Sequence, residues 1–404
     1  MKFLDAVLTC TPGAEAEAGV YELLPDLHFS QGFQALNMGG SEKNDTEVAD
    51  LTYGDESLQP LWKLAQWESR YDFRNPAQTV FSCLSPGVYC YNSRDKVLTV
   101  NTNEGLLSME LKASEVYDTP RTYGQGWPHL LIEGTTEDSA APFASQLKNA
   151  KHLRLTFSQR LTDFQDHMGS SADSSLHAGS FYIYLYIKGV NPKGETEMMW
   201  FGLTLFDNRF QFDTEQGSQD TGKDDASGWF IYQIPICAFR DTEVKVSNDW
   251  TDVDIDVLPF VKRALILAQQ RGYMQGITMD TVYIDGMNMG WEMPGTYDGC
   301  MEIKNLSLRS YVDTDYTLPN GVANFLIWEM EGGETIPVDE KCTLVLPRLQ
   351  NRPGDVLTVR CDRQGNAYVL RAWWNGEETT DNFEQPVSSG DIKIVKPGLF
   401  QIGE

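Results

Sequence analysis

Short runs that alternate apolar and polar side chains, bounded by Gly, Pro, Asn and Asp, recur along most of this chain and restrict the folds open to it. A period of two residues is the spacing of a β-strand with one buried face, and turn residues end each run. So many strands before residue 312 predict an all-β protein built as a sandwich of two sheets. The clearest predicted strands are Lys96–Val100, Leu106–Leu111, His129–Glu133, His152–Phe157, Phe181–Ile187, Met199–Phe206, Phe230–Ile234, Thr281–Ile284 and Met301–Leu308.

One segment departs from this pattern and predicts a single amphipathic helix. PFVKRALILAQQR follows an acidic stretch, carries a proline in its first turn and ends at Gly272. Acidic residues and proline at the start and glycine at the end are helix boundary signals. The apolar residues of the helix share one face, which predicts packing across a sheet edge or end. They are Leu258, Val261, Leu265 and Ala268.

The chain divides into three predicted regions. Residues 1–24 form an N-terminal extension, and residues 25–312 form the sandwich domain with its helix. The sequence VDTDYTLPNG follows as a linker. From residue 323 to residue 404 strand patterns return, which predicts a small C-terminal β domain.

The charge balance constrains the partners. The chain has 58 acidic and 32 basic residues and a formal net charge of −26. Nucleic acid and anionic membranes need a positive protein surface, so neither is an expected partner. Neutral and cationic partners remain open, and the oligomeric state is not predicted.

The N-terminal sequence bears on location. MKFLDAVLTCTPGAEAEA has one lysine and a short apolar stretch interrupted by Asp5, which is weak for a secretory signal. No apolar run approaches the roughly 20 residues that cross a bilayer. The expected location is cytoplasmic or virion-associated, or extracellular or at the cell surface if a signal has been removed.

The cysteines and histidines give no metal pattern. Seven cysteines and five histidines are scattered without a CxxC or a Cys/His cluster, so no metal site and no cofactor are predicted. Cys83 and Cys90 form either a disulfide or two free thiols. An acidic segment, DTEQGSQDTGKDDASG, leaves room for a structural calcium ion but lacks the alternating spacing of a known calcium loop.

Two short segments bring polar side chains to candidate strand faces. Alternate residues of a strand share a face, so Gln66, Glu68 and Arg70 are predicted together, as are His129 and Glu133. If both strands border one groove, its carboxylates suit glycoside hydrolysis, and the histidine and arginine beside a uronic acid suit a lyase. The alternative is an exposed ion pair between Glu68 and Arg70 and a hydrogen-bonded surface histidine.

The segment from Thr281 to Tyr311 predicts two strands joined by a loop. This loop is expected to present Trp291, Glu292, Tyr297 and Asp298 together. Flat aromatic faces beside carboxylates suit a sugar.

Three aromatic residues are candidates for stacking on a pyranose. Trp127, Trp291 and Tyr297 lie near glycine or proline and so near loops, although packing between the sheets is an alternative for each. Trp200 has apolar neighbours in MMWFGLTLF and is predicted to lie in the core.

The end of the predicted sandwich carries a family resemblance. YIDG is followed by CMEIKNLSLRSY, in which residues 302–308 match the closing-strand form I-x-N-[VL]-x-[LI]. This pair resembles the last strands of jelly-roll carbohydrate-binding modules, and such modules are similar to concanavalin A-like lectins and glucanases. The resemblance implies a jelly-roll β-sandwich with an aromatic-lined groove. It does not extend to the E-x-D-x-x-E strand of one large glucanase family, which is absent.

The leading functional hypothesis is recognition of a glycan or polysaccharide by an aromatic-lined groove. Its predicted ligand-binding residues are Gln66, Arg70, Trp127, Trp291, Glu292, Tyr297 and Asp298. One alternative is a glycoside hydrolase or polysaccharide lyase that uses Glu68, His129 and Glu133 in the same groove. Another is a structural or receptor-binding protein of a virion or surface assembly.

Overall fold

The computed structural model describes residues 19–39, 48–210, 215–221, 226–240 and 242–312, together with the backbone of the strands between 341 and 402. In chain order the strands up to residue 312 are β1 Val20–Glu22, β2 Phe33–Ala35, β3 Ala49–Leu51, β4 Trp62–Ala65, β5 Val80–Ser85, β6 Val88–Asn92, β7 Lys96–Asn101, β8 Leu106–Lys112, β9 His129–Thr135, β10 Ala150–Asp166, β11 Ser180–Val190, β12 Thr196–Asp207, β13 Gln216–Gln219, β14 Phe230–Gln233, β15 Thr251–Asp256, β16 Val282–Glu292 and β17 Tyr297–Val312.

These strands form two sheets. Sheet A has the order β15-β10-β17-β8-β7-β6-β5, and β1 also pairs with β17. Sheet B has the order β13-β14-β12-β11-β16-β9-β4-β2-β3. Neighbouring strands are antiparallel except for the parallel pairs β2–β4 and β12–β14. The protein is therefore the predicted all-β sandwich of the jelly-roll class.

One apolar core fills the space between the sheets. In β11 the alternate residues Phe181, Ile183 and Leu185 are fully buried, so this row faces sheet A. In β16 Met287 and Met289 are buried in the same core. The even-numbered residues of β11 consequently point away from the core, on the outer face of sheet B.

The predicted helix is confirmed as α1, Leu258–Gln270. Its start is fixed by Asp256, whose Oδ1 accepts the backbone N–H of Leu258 at 3.1 Å. The four residues predicted to share a face are all buried. The helix contacts β10 of sheet A and β12 and β14 of sheet B, and so lies across one edge of the sandwich as predicted.

The nine predicted strands are all present, and several are longer than the pattern indicated. β1 falls within the segment predicted as an N-terminal extension but pairs with β17 in sheet A. Within the described residues no helix has the length and apolar content to cross a bilayer. Cys83, Cys90 and Cys300 are free thiols.

Strands are also present in the region predicted as the C-terminal domain, and the domain division itself stays a prediction. They are β18 Lys341–Thr343, β19 Leu357–Gln364, β20 Ala367–Trp374, β21 Glu377–Glu378, β22 Asp381–Asn382, β23 Gln385–Pro386, β24 Ile392–Lys396 and β25 Leu399–Ile402. Six of them form a sheet with the order β18-β19-β20-β24-β25, with β21 on β20, and β22 pairs with β23.

Candidate binding site

The outer face of sheet B carries a row of polar and aromatic side chains that crosses five strands. The register places Gln233 beside Gly202, Gly202 opposite Tyr184, Tyr184 opposite Asn288, and Asn288 opposite Glu133. Residues directly opposite each other point to the same face of a sheet. The row therefore runs across β14, β12, β11, β16 and β9 for roughly 19 Å.

Five aromatic side chains form a continuous surface on this face. We call it the aromatic platform, and its members are Tyr182, Tyr184, Tyr186, Trp200 and Trp229. The ring centroid of Trp200 lies 5.0 Å from that of Tyr186, 5.9 Å from that of Tyr184 and 5.9 Å from that of Trp229. Tyr182 and Tyr184 are 5.4 Å apart. Because each ring contacts the next, the platform is a single surface.

The platform lies in a recess. Tyr184 is 9 % exposed and Asn288 is 6 % exposed, although both point away from the core. Trp229, at the side of the platform, is 42 % exposed. Gly202 makes room for the floor, since a Cβ atom there would lie 2.6 Å from Cε1 of Tyr184.

Hydrogen bonds hold the platform tyrosines in place. Gln233 donates from Nε2 to the Tyr184 hydroxyl at 2.9 Å. The Tyr186 hydroxyl donates to Oε1 of Glu133 at 3.2 Å, and the Tyr182 hydroxyl donates to Oδ2 of Asp207 at 3.2 Å. These bonds restrict side-chain rotation, so the surface is organised before any ligand arrives.

A second cluster lies on the same face, where β9 and β16 meet. Glu292 is opposite His129 in the register and next to Trp127, whose Nε1 donates to Oε2 of Glu292 at 3.2 Å. The imidazole of His129 stacks against Trp127 with centroids 5.7 Å apart. The guanidinium of Arg121 lies 4.5 Å from the centre of the Trp127 ring. We call these four residues the Trp127 cluster.

Burial changes the protonation of the groups on this face. Burial raises the pKa of Glu133, while the Tyr186 hydrogen bond and the charge of Lys63 oppose the change. The pKa of Tyr186 is raised well above its usual value by burial and by Glu133. The tyrosines are therefore neutral hydroxyl groups at physiological pH.

Glu133→Gln is expected to stabilise the protein at pH 8 and to have little effect at pH 4. The folded-state pKa of Glu133 lies above its ordinary value of 4.5, so the stability of the native protein falls as the pH rises from that value through the folded-state pKa. Glutamine cannot ionise and still accepts the Tyr186 hydrogen bond. Urea unfolding at both pH values measures the difference, with Glu110→Gln on sheet A as the control. An equal effect of E133Q at both pH values would contradict the assignment.

Four of the predicted site residues lie on the outer face of sheet B. Trp127, His129 and Glu292 form one cluster, and Glu133 lies farther along β9. His129 is 4 % exposed, so its ring packs beneath its neighbours and has little contact with solvent.

The predicted polar triplet around residue 68 needs correction. β4 ends at Ala65, so Gln66, Glu68 and Arg70 lie in a turn and do not alternate as a strand. Gln66 is fully buried, donates to Asp72 and accepts from the backbone of Phe73. Arg70 forms an ion pair with Asp118 at 2.9 Å, and Glu68 is exposed beside Gly126.

The predicted group around residue 291 is also divided. β16 continues to Glu292, so alternation places Trp291 inward and Glu292 outward. Trp291 is 0 % exposed and Tyr297 is 2 % exposed, so both rings lie in the core. Asp298 lies on sheet A, where it accepts bonds from Ser114 and contacts His167 at 3.0 Å.

The platform itself was not predicted. Trp200 was expected in the core but lies half-buried on the outer face. The signal was present in SFYIYLYIK, where tyrosines alternate with fully apolar residues. A strand with isoleucine and leucine on one face and only tyrosine on the other has an aromatic outer face.

Glu133 and Glu292 do not have the separation of a glycosidase pair. Glu133 lies four residues along β9 from His129, which is opposite Glu292, and this places the two glutamates about 13 Å apart along the strand. Glycosidase carboxylates are about 5 Å apart in retaining enzymes and at most about 9.5 Å in inverting ones. Among the described residues no group of three or more His, Cys, Asp and Glu side chains could hold a metal ion.

No family of known proteins matches the chain, and no curated protein matches it. Solved structures that resemble it include a cellulase derived from Cel12A of Rhodothermus marinus, with 11% identity over 55% of this chain and 91% of that chain and a TM-score of 0.29. The family 11 xylanase from Neocallimastix patriciarum shares 9% identity over 58% of this chain and 95% of that one, with a TM-score of 0.29. The endo-1,4-β-glucanase CelB2 shares 11% identity over 58% and 97%, with a TM-score of 0.31.

Proposed function

We propose that this protein binds a glycan along the aromatic platform. The observation that carries the proposal is the continuous row of three tyrosines and two tryptophans on the outer face of sheet B. Aromatic faces stack on the C–H faces of pyranose rings. The platform shares Tyr184 with the row of opposite residues that runs for roughly 19 Å across sheet B, and this length suits an oligosaccharide or polymer more than a single sugar.

Polar groups beside the rings supply hydrogen bonds for sugar hydroxyls. Asn288 and Gln233 flank Tyr184 on either side in the register, and Glu133 follows Asn288. Amide and carboxylate groups both accept from hydroxyls, and the amides also donate to them. An apolar stacking surface with a few fixed polar groups is the usual composition of a small-ligand site.

Binding is favoured over hydrolysis by the position of the carboxylates. Glu133 and Glu292 are too far apart to act together on one glycosidic bond. Asp207 also lies beside the platform, opposite Ser180 as Glu292 is, but it is held by Arg209 through two hydrogen bonds of 2.9 and 2.6 Å. A carboxylate bound in this way is a poor nucleophile or proton donor.

Trp200→Ala is expected to raise the Kd for a bound polysaccharide about tenfold, which corresponds to roughly 1.4 kcal/mol of lost stacking and burial. Trp200 is the right residue to change because its ring contacts three other platform rings. A panel of soluble polysaccharides in affinity gel electrophoresis, followed by titration calorimetry on each that binds, measures the effect.

Trp250→Ala is the matched control. Trp250 is also half-buried, but it packs between Arg160 and Lys304 of sheet A, at 4.5 and 4.2 Å. Its replacement should leave polysaccharide affinity unchanged. Failure of the wild-type protein to bind any polysaccharide, or equal losses in the two variants, would refute the proposed function. Shortened products on incubation would instead favour an enzyme.

A further inference from the structure

We propose that the aromatic platform selects uncharged glycans and excludes glycans that carry carboxylate or sulfate groups, with Glu133 and Glu292 as the residues that exclude them. This inference rests on the proposed function, since it concerns the ligand class of the same face. It assigns to the two glutamates a role in specificity, although they are too far apart to form a catalytic pair.

Both carboxylates lie on the same face of sheet B as the aromatic platform. Glu133 continues the row that contains Tyr184 and Asn288, and its Oε1 is 3.2 Å from the Tyr186 hydroxyl. Glu292 belongs to the Trp127 cluster on the same face. A glycan that lies along the row therefore meets Glu133 at its end, and a glycan that extends along β11 past Tyr182 meets Glu292, which is opposite Ser180 and about 13 Å along the strand from Glu133.

The cationic side chains near this face already bind acceptor groups of the protein. Arg209 binds Asp207, and Lys188 binds Asp285 at 2.8 Å. Arg121 donates from Nε to the carbonyl of Gln125 at 2.7 Å while its guanidinium lies over the indole of the Trp127 cluster. An anionic sugar would have to compete with these acceptors for a cation.

Lys63 is the cation that opposes this arrangement. It lies opposite Glu133 in the β4–β9 register and lowers the pKa of that carboxyl, but burial outweighs it. One lysine beside one glutamate leaves no net positive charge at that end of the row. Lys63 does not lie beside Glu292. Glu292 is opposite His129, which is four residues along β9 from Glu133, the residue that Lys63 faces.

Carboxylates add to the effect of burial on the platform tyrosines. Apart from burial, the charges that raise the pKa of Tyr184 include Glu292 and Asp220, and those that raise the pKa of Tyr186 are Glu133 and Asp285. In a recess shielded from water these charges also act on a bound ligand, because screening is weaker there than at an open surface. The formal net charge of −26 adds repulsion at longer range.

The test compares one polymer in two charge states. A neutral polysaccharide that binds the wild-type protein is oxidised at its primary alcohols to carboxylates, which keeps the backbone and changes the charge. We expect the oxidised polymer to bind at least about tenfold more weakly at low salt, with the gap narrowing as ionic strength rises.

Variants separate charge repulsion from the loss of a hydroxyl contact. The double variant E133Q/E292Q should recover much of the affinity for the oxidised polymer, since glutamine keeps the shape and the acceptor oxygen but not the charge. Glu110→Gln, on the outer face of sheet A beside Lys112, is the control for net charge and should recover none.

The possible binding results distinguish failure of this inference from failure of the proposed function. Equal or tighter binding of the oxidised polymer by the wild-type protein, or binding only to naturally anionic glycans, would overturn this inference and leave the proposed function standing. An unchanged gap in E133Q/E292Q would overturn the role of the two glutamates. Binding to no polysaccharide at all would overturn the proposed function and this inference with it.

Discussion

Trp291→Ala should lower the free energy of unfolding by about 3–5 kcal/mol, the usual cost of removing a buried tryptophan. The indole is fully buried and packs against Phe181 at 5.1 Å and Phe206 at 6.0 Å. Its Nε1 also donates to the carbonyl of Met109 at 2.8 Å, which ties sheet B to sheet A. Alanine would leave a cavity and a buried carbonyl without its donor.

Urea unfolding of W291A measures this loss, and Trp127→Ala is the matched control. Trp127 is half-buried at the face of sheet B, so its replacement should cost clearly less stability. Trp291→Phe should fall between them, because phenylalanine fills part of the space but cannot donate the hydrogen bond. A cost for W291A no larger than that for W127A would contradict the position of Trp291 between the sheets.

Most of the fold follows from local sequence patterns. Nine strands and the helix were predicted from the period of apolar residues and from boundary residues. A predicted strand ends before the observed one where the alternation of apolar and polar residues is interrupted. β10 continues to Asp166, but its pairing with β17 shifts register after Thr156 and again after Leu161, so the alternating pattern is lost beyond Phe157.

The site was harder to predict because it depends on where strands end and which strands become neighbours. The sequence predicts both Glu133 and Glu292 as site residues. Their separation follows from the β9–β16 register, which local sequence does not encode. The glycine and proline at positions 290 and 294 predict a loop, whereas β16 extends to Glu292 and Trp291 points inward. The position of one strand end, Ile284 in the prediction and Glu292 in the structure, thus decides whether an aromatic residue is assigned to the core or to the site.

The platform shows a different limit. Trp200 has apolar neighbours on both sides in sequence, and this context predicts a buried strand. Only the pairing with β11, which places Trp200 opposite Tyr186, identifies its face as the one that bears the tyrosines. The tyrosine alternation in β11 was the available local signal, since a row of hydroxyl-bearing rings avoids the dry core unless each hydroxyl finds a partner.

A second large effect is expected at the helix. Glu215→Leu should cost about 3–5 kcal/mol of stability, the usual cost of removing one partner from a buried ion pair. Arg263 of α1 is 1 % exposed and donates to Glu215 from Nε at 3.1 Å and from Nη2 at 3.0 Å. The Tyr232 hydroxyl of β14 donates to the same carboxylate at 2.7 Å. Without the glutamate, a guanidinium charge and a hydroxyl would remain buried without this acceptor.

The double variant Glu215→Leu/Arg263→Met tests that explanation. Replacing both charges with apolar side chains of similar volume removes the uncompensated charge, so the double variant should be markedly more stable than Glu215→Leu alone. Chemical unfolding of the wild type, both single variants and the double variant completes the cycle. Additive losses would mean that the two side chains do not depend on each other. A strong coupling would instead mean that this ion pair holds α1 against sheet B. The pair lies on the opposite side of the sheet from the aromatic platform, because Tyr232 points into the core while Gln233 points to the platform.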